Sequence, residues 1–168
     1  VEPHVAGIAA VHSPHTAAVD YATITEAMAQ DVRRAGGEIR LGHMDASGID
    51  MQVLGITAPG VQVLDKATAV SVSRLANDFL ADAIRRHPTR FAGMIAVAPQ
   101  DPAAAAKEIE RGVSQLGMNA VIINSHTQGE YLSDPKFWDI FAAAEACDAP
   151  IYLHPNAMPQ SMLAPFQP

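Results

Sequence analysis

Four short apolar runs, Met51–Ile56, Phe91–Ala98, Ala120–Asn124 and Ile151–His154, constrain this chain more than any other feature. Each is rich in Val, Ile or aromatic residues and is bounded by Gly or Pro, the pattern of buried strands. Longer segments with helical spacing separate them. In 69–86, Val70, Leu75, Phe79, Leu80 and Ile84 recur at helical intervals and predict an amphipathic helix. Two further helix starts read Asp-Pro, at Asp101-Pro102 and Asp134-Pro135, each joining a capping carboxylate to a proline whose missing N–H costs nothing there. The helix from Pro102 is expected to end near Gly117, one over 20–34 at Gly36-Gly37, and a short one over 41–47 at Gly48.

Strands alternating with helices at intervals of about 25 to 40 residues imply right-handed crossovers and a parallel sheet. An open doubly wound sheet would often carry a Gly-rich phosphate loop after its first strand, and neither GxGxxG nor a P-loop is present. A barrel segment fits better, because polar chemistry follows every strand: ITAPG, VAPQDP, INSHTQG and YLHPN. The C-terminal strand ends are where a (β/α)8 barrel assembles its site. The expected fold is therefore α/β of the (β/α)8 TIM-barrel type, an incomplete barrel in which residues 1–168 form one domain covering about the first five strands.

Charge narrows the partners. A formal charge of −7, with only 11 Lys and Arg scattered along the chain, disfavours nucleic acid and leaves a small molecule as the expected substrate. No stretch approaches the ~20 apolar residues of a membrane span, and the first residues lack the charged-then-apolar pattern of a signal peptide, so a soluble protein without a membrane partner is expected. Cys147 is the one cysteine, which excludes an intrachain disulfide and points to a cytoplasmic setting. Its AAAEACDAP context predicts a buried, inert thiol on a helix face.

The histidines admit several roles. His154 follows Ile151-Tyr152-Leu153 directly, so its imidazole is expected at a strand end facing the barrel mouth. Structural histidine, metal ligand and general acid or base are all open to it. His126 belongs to the loop Asn124-Ser125-His126-Thr127-Gln128-Gly129, dense in groups that could grip a carboxylate or phenol, or simply a polar βα loop. His87, before Pro88, is expected to stabilise a helix end, and His43 to decorate the surface. Near the start, Glu2-Pro3-His4 and His12-Ser13-Pro14-His15 compete as ligand pairs. An extended Glu-x-His places both side chains on one face, whereas Pro14 interrupts the turn that would join His12 to His15.

The segments MDASGID (44–50), TAPGVQ (57–62), AND (76–78), HPTRFAGM (87–94), APQDP (98–102), INSHTQGEYL (123–132) and YLHP (152–155) occur in this order and spacing. Together they resemble the aryl-acid decarboxylase branch of the amidohydrolase superfamily, that of the 5-carboxyvanillate, γ-resorcylate and 2,3-dihydroxybenzoate decarboxylases. The similarity runs from about Arg40 to Pro165, and the NSHTQG loop resembles the first of these most. The resemblance implies Glu2, His4 and His154 as ligands of one divalent metal, Mn2+ or Zn2+. It implies Asn124, Ser125, His126 and Thr127, with Thr57 and Pro59, as walls of the substrate site.

The implied reaction is non-oxidative loss of CO2 from an ortho-hydroxylated aromatic acid by a carboxy-lyase that associates as a homo-oligomer. An acid on a later strand, expected beyond Pro168, would protonate the ring carbon. Two other readings compete. One is a metal-dependent hydrolase of an amide, lactone or ester, in which the metal activates water. The other is a non-catalytic fragment of such an enzyme.

Overall fold

The computed structural model describes residues 43–157, together with 12–13, 16–17, 30 and 34. Glu2, His4 and His15 lie outside the described residues, as does most of the helix expected over 20–34. The chain separates into two compact units, Val1–Gly48 and Ile49–Pro168. In the first, β1 (His12–Ser13) pairs antiparallel with β2 (Thr16–Ala17), and α1 (His43–Ala46) ends at Gly48, whose φ of +66° suits a residue without Cβ.

The second unit carries β3 (Gln52–Leu54), α2 (Lys66–Arg86), β4 (Phe91–Ala96), α3 (Pro102–Ser114) and β5 (Ala120–Asn124). A hairpin of β6 (His126–Thr127) and β7 (Glu130–Tyr131) follows, then a 3-10 turn at Pro135–Phe137, α4 (Trp138–Ala146) and β8 (Ile151–His154). Strands β3, β4, β5 and β8 form one parallel sheet in chain order. When every crossover is right-handed, strands added in sequence put all helices on one face, which is the winding of a barrel sector and not of a doubly wound sheet. The anticipated architecture is the one observed. Among the described residues no helix is long and apolar enough to cross a membrane.

The two faces of the sheet differ accordingly. Ile95, Val121 and Ile123 point toward the helices, where they join Ala105, Ile109, Phe137, Ile140 and Ala144 in the main core. On the opposite face, a Cβ placed on Gly55 would touch Met94 and Ile122, so these residues line the barrel interior. Cys147 packs half-buried against the edge of the main core.

The helix boundaries follow their caps. Asp65 accepts from Thr68 N–H at the start of α2, and hydrogen bonds from Thr68 hold its carboxyl below the usual carboxylate range. Asp101 accepts from Ala104 N–H ahead of Pro102. The Asp134-Pro135 start opens as one 3-10 turn before α4.

The apolar stripe of α2 holds in part: Val70, Leu80 and Ile84 pack against the core, and Leu75 and Phe79 do not. Leu75 and Phe79 are 70% and 69% exposed, and the fully buried positions are Ala69, Ser73, Asn77 and Ala81. Small residues let the helix approach the sheet closely, and Gly93 does the same from the strand, since a Cβ there would lie 2.7 Å from Ile84. That approach brings Asn77 to the backbone of β4. Its Oδ1 accepts from Ala96 N–H and its Nδ2 donates to Ala96 O, both at 2.8 Å. Beyond Leu54↔Gly93 no β3 residue pairs with β4, so the carboxamide supplies the missing strand.

The second proton of Asn77 Nδ2 goes to Glu108, which is 2% exposed and also bonded by Arg111. Glu108 and Asp78 together push the Arg111 guanidinium above its ordinary pKa. Replacing Asn77 by Leu strips both partners from Ala96 and one from a buried carboxylate. The expected loss in unfolding free energy is about 3 kcal/mol or more, measured by chemical denaturation of the full-length protein. A change below about 1 kcal/mol would show that Asn77 does not close the sheet.

Candidate active site

The C-terminal ends of β5 and β8 meet at one register pair, Asn124↔His154. Asn124 lies two residues beyond Ile122, so both side chains fall on the interior face. Asn124 is 3% exposed, and its Nδ2 donates to Pro59 O at 3.2 Å, fixing the amide rotation. Its Oδ1 is buried and has no hydrogen-bond partner. Gly60 makes room for this packing, because a Cβ there would lie 3.0 Å from Asn124 Nδ2 and its φ is +58°.

His154 is half-buried, and its Nδ1 donates to Pro155 O at 2.8 Å. The proton held on Nδ1 leaves Nε2 with a free lone pair, the form in which an imidazole binds a metal and the role a supporting carbonyl commonly plays for it. His154 thus fits one coordination position. Among the described residues no three His, Cys, Asp or Glu side chains gather to complete a site.

The remaining expected wall residues are spent on the loops themselves. Ser125 Oγ accepts from Asn156 N–H at 3.2 Å. His126 accepts from Gly129 N–H at Nδ1 and donates from Nε2 to Ala157 O at 2.7 Å, with its ring edge-on to Tyr131. Thr127 is 2% exposed and its Oγ1 lies 2.6 Å from Gln62 Nε2. Thr57 and Pro59 are exposed on the loop after β3. Two clefts of about 80 and 200 Å3 lie beside α2 and α3 and beside the hairpin, and neither is lined by Asn124 or His154.

Three glutamines tie these loops together, a role not anticipated from the sequence. Gln62 reaches Asn124 and the hairpin, Gln100 Nε2 donates to Val61 O and Leu64 O, and Gln128 Nε2 donates to Leu64 O. Gln62 and Gln100 fall within the TAPGVQ and APQDP motifs, so their positions were marked, but nothing in a motif says that a side chain serves backbone groups. Outside the site, His87 ends α2 through its backbone N–H and stacks edge-on with Phe91.

The family model described as amidohydrolase matches residues 10–168. The chain belongs to the amidohydrolase family. The chain is 38% identical over 128 residues to the γ-resorcylate decarboxylase of Polaromonas sp. (strain JS666 / ATCC BAA-500), across 71% of this chain and 39% of that protein.

Among solved structures it is similar to 5-carboxyvanillate decarboxylase from Novosphingobium aromaticivorans, which carries bound manganese and 3-methoxy-4-hydroxy-5-nitrobenzoic acid. The TM-score is 0.72 at 50% identity, over 77% of this chain and 38% of that one. It is also similar to 2,6-dihydroxybenzoate decarboxylase from Rhizobium, with a TM-score of 0.70 at 31% identity, over 77% and 43%. The chain spans about two fifths of the length of these relatives.

The hydrogen bonds assign opposite tautomers to the two site histidines of the metal-free protein: proton on Nδ1 for His154 and on Nε2 for His126. Long-range 1H–15N correlation spectra should resolve one ring of each kind. Two rings of the same tautomer would contradict the site geometry.

Proposed function

We propose that this chain forms part of a metal-dependent, non-oxidative decarboxylase of an ortho-hydroxylated aromatic acid of the 5-carboxyvanillate type. One observation carries the reading. Asn124 and His154 are a register pair at the C-terminal ends of adjacent parallel strands, where His154 keeps Nε2 unbonded and Asn124 is buried. The 50% identity to a 5-carboxyvanillate decarboxylase supports the choice of chemistry, and it favours decarboxylation over hydrolysis at the same barrel end.

His154 Nε2 would hold one divalent cation, Mn2+ with Zn2+ as the second choice, and the resemblance assigns Glu2 and His4 as further donors. Such an ion, bound with open positions, supplies a doubly positive anchor for the carboxylate and the neighbouring phenolate. Asn124, the register partner of His154 and buried at the same strand end, would form the substrate-side wall beside the metal position. Gly60 and Pro59 hold Asn124 at that depth. Ser125, His126 and Thr127, bonded within and between the loops, keep the wall around Asn124 in one shape. Protonation of the ring carbon bearing the carboxylate breaks aromaticity, and cleavage of the C–C bond restores it as CO2 leaves. We assign that proton to none of the described residues. A cytoplasmic homo-oligomer belongs to the same proposal.

The test is CO2 release by the full-length protein with Mn2+ from 5-carboxyvanillate, γ-resorcylate and 2,3-dihydroxybenzoate, with His154→Ala alongside. Release from at least one acid is expected. The variant should lose more than the about 10–100-fold that removing a mere supporting partner of a metal ligand costs, together with its bound Mn2+. A manganese-loaded wild type that releases CO2 from none of the three would overturn the reading.

A further inference from the structure

Gln62 is a buried carboxamide, 4% exposed, for which the reaction itself gives no role. The β4–β5 ladder ends at Ala96↔Ile122, yet β5 continues to Asn124. Alternate peptide groups of β5 face β8, as Val121 and Ser125 do, so the N–H and C=O of Asn124 face the side that β4 has left. Gln62 fills that gap. Its Oε1 accepts from Asn124 N–H at 2.7 Å, and its Nε2 lies 3.3 Å from Asn124 O, 3.0 Å from His126 O and 2.6 Å from Thr127 Oγ1.

These contacts bracket the turn out of β5. On one side is the peptide that carries the Asn124 side chain, and on the other is the hairpin that begins at His126. The other anchor of Asn124, Pro59 O, comes from the same loop as Gln62. Both the backbone and the side chain of Asn124 are therefore set by residues 59–62. A side chain that only filled the core would need neither the donor nor the acceptor.

We propose that Gln62 is a positioning residue for the reaction, acting through Asn124. It sets the position that Asn124 holds at the strand end beside His154. This inference rests on the decarboxylase reading. Freed from Gln62, the 123–125 peptide loses its fixed position, and a displacement of ~1 Å at a binding group costs up to about 100-fold in rate.

The experiment compares Gln62→Leu, Asn124→Ala and the double variant in the full-length, Mn2+-loaded protein. Gln62→Leu should lower kcat/KM by about 10- to 100-fold with its manganese content unchanged. In the Asn124→Ala background the same change should cost less than about threefold, because residues acting as one unit are not additive. Gln62→Glu, which keeps the acceptor for Asn124 N–H and loses the donors, takes the place of Gln62→Leu if the latter does not fold.

Amide hydrogen exchange gives a readout that needs no turnover. The variant should speed exchange at 124–128 by at least about tenfold and leave Ile140 and Ala143 in α4 unchanged. Losses that multiply in the double variant, kcat/KM within about threefold of wild type, or unchanged exchange at 124–128 would each overturn the inference. Absence of CO2 release by the wild type strikes the functional reading instead, and the exchange experiment still judges the clamp.

Discussion

Where a parallel strand runs on past the end of its neighbour, its N–H and C=O on that side lose their partners, and leaving them buried and unpaired costs about 1–3 kcal/mol each. A curved sheet whose strands stagger meets this problem at each step. In this protein β4 outruns β3 and β5 outruns β4. Each overhang is closed by one primary carboxamide that presents an acceptor and a donor at strand-like spacing, Asn77 to Ala96 and Gln62 to Asn124. The rest of the architecture follows from these two closures. Asn77 can reach β4 only if α2 lies close, so the fully buried stripe of that helix is Ala69, Ser73, Asn77 and Ala81, with Val70, Leu80 and Ile84 packed at its flanks and Leu75 and Phe79 turned outward.

The closures differ in what they leave over. Asn77 is saturated, because its two protons go to Ala96 O and Glu108 and its oxygen takes Ala96 N–H. Glu108 in turn is saturated by Arg111, so the network ends in a compensated charge. At the β5 overhang the backbone is served by Gln62, which frees the side chain of Asn124 from that duty. One Nδ2 proton goes to Pro59 O, and Oδ1 is buried without a partner. An orphan acceptor of this kind persists where a ligand donor completes it.

The sequence made the sheet legible because each strand carries its own signal: an apolar run, a flanking Gly or Pro, and polar residues after it. Chain order in the sheet followed from the even alternation with helices. The α2 stripe was legible at Val70, Leu80 and Ile84 and not at Leu75 and Phe79, since periodicity cannot register that small residues and an asparagine occupy the fully buried line. The site was legible as a location and not as a set of contacts. His154 and Asn124 stand where the strand ends placed them, whereas Ser125, His126 and Thr127, grouped with Asn124 by adjacency, turn their polar atoms to neighbouring loops. Adjacency in a loop carries no facing, because the two-residue alternation that sorts a strand's side chains stops where the strand does.

The segment after β8 shows how such loop bonds bear on His154. Pro155 disfavours helical backbone at His154, which keeps that residue extended at the strand end. Its carbonyl then receives the Nδ1 proton, so the tautomer that exposes Nε2 depends on where Pro155 O points. The next two residues are tied to the β5 loop, Asn156 N–H to Ser125 Oγ and Ala157 O to His126 Nε2. The orientation of the His154 ring is therefore coupled to the loop that carries Asn124, which Gln62 and Pro59 hold from the other side. His154 and Asn124, 30 residues apart in sequence, are kept in register by the ladder pair between them and by loops that bond to each other. That is the second layer of support a preorganised site needs if its groups are not to drift by the ångström that separates binding from turnover.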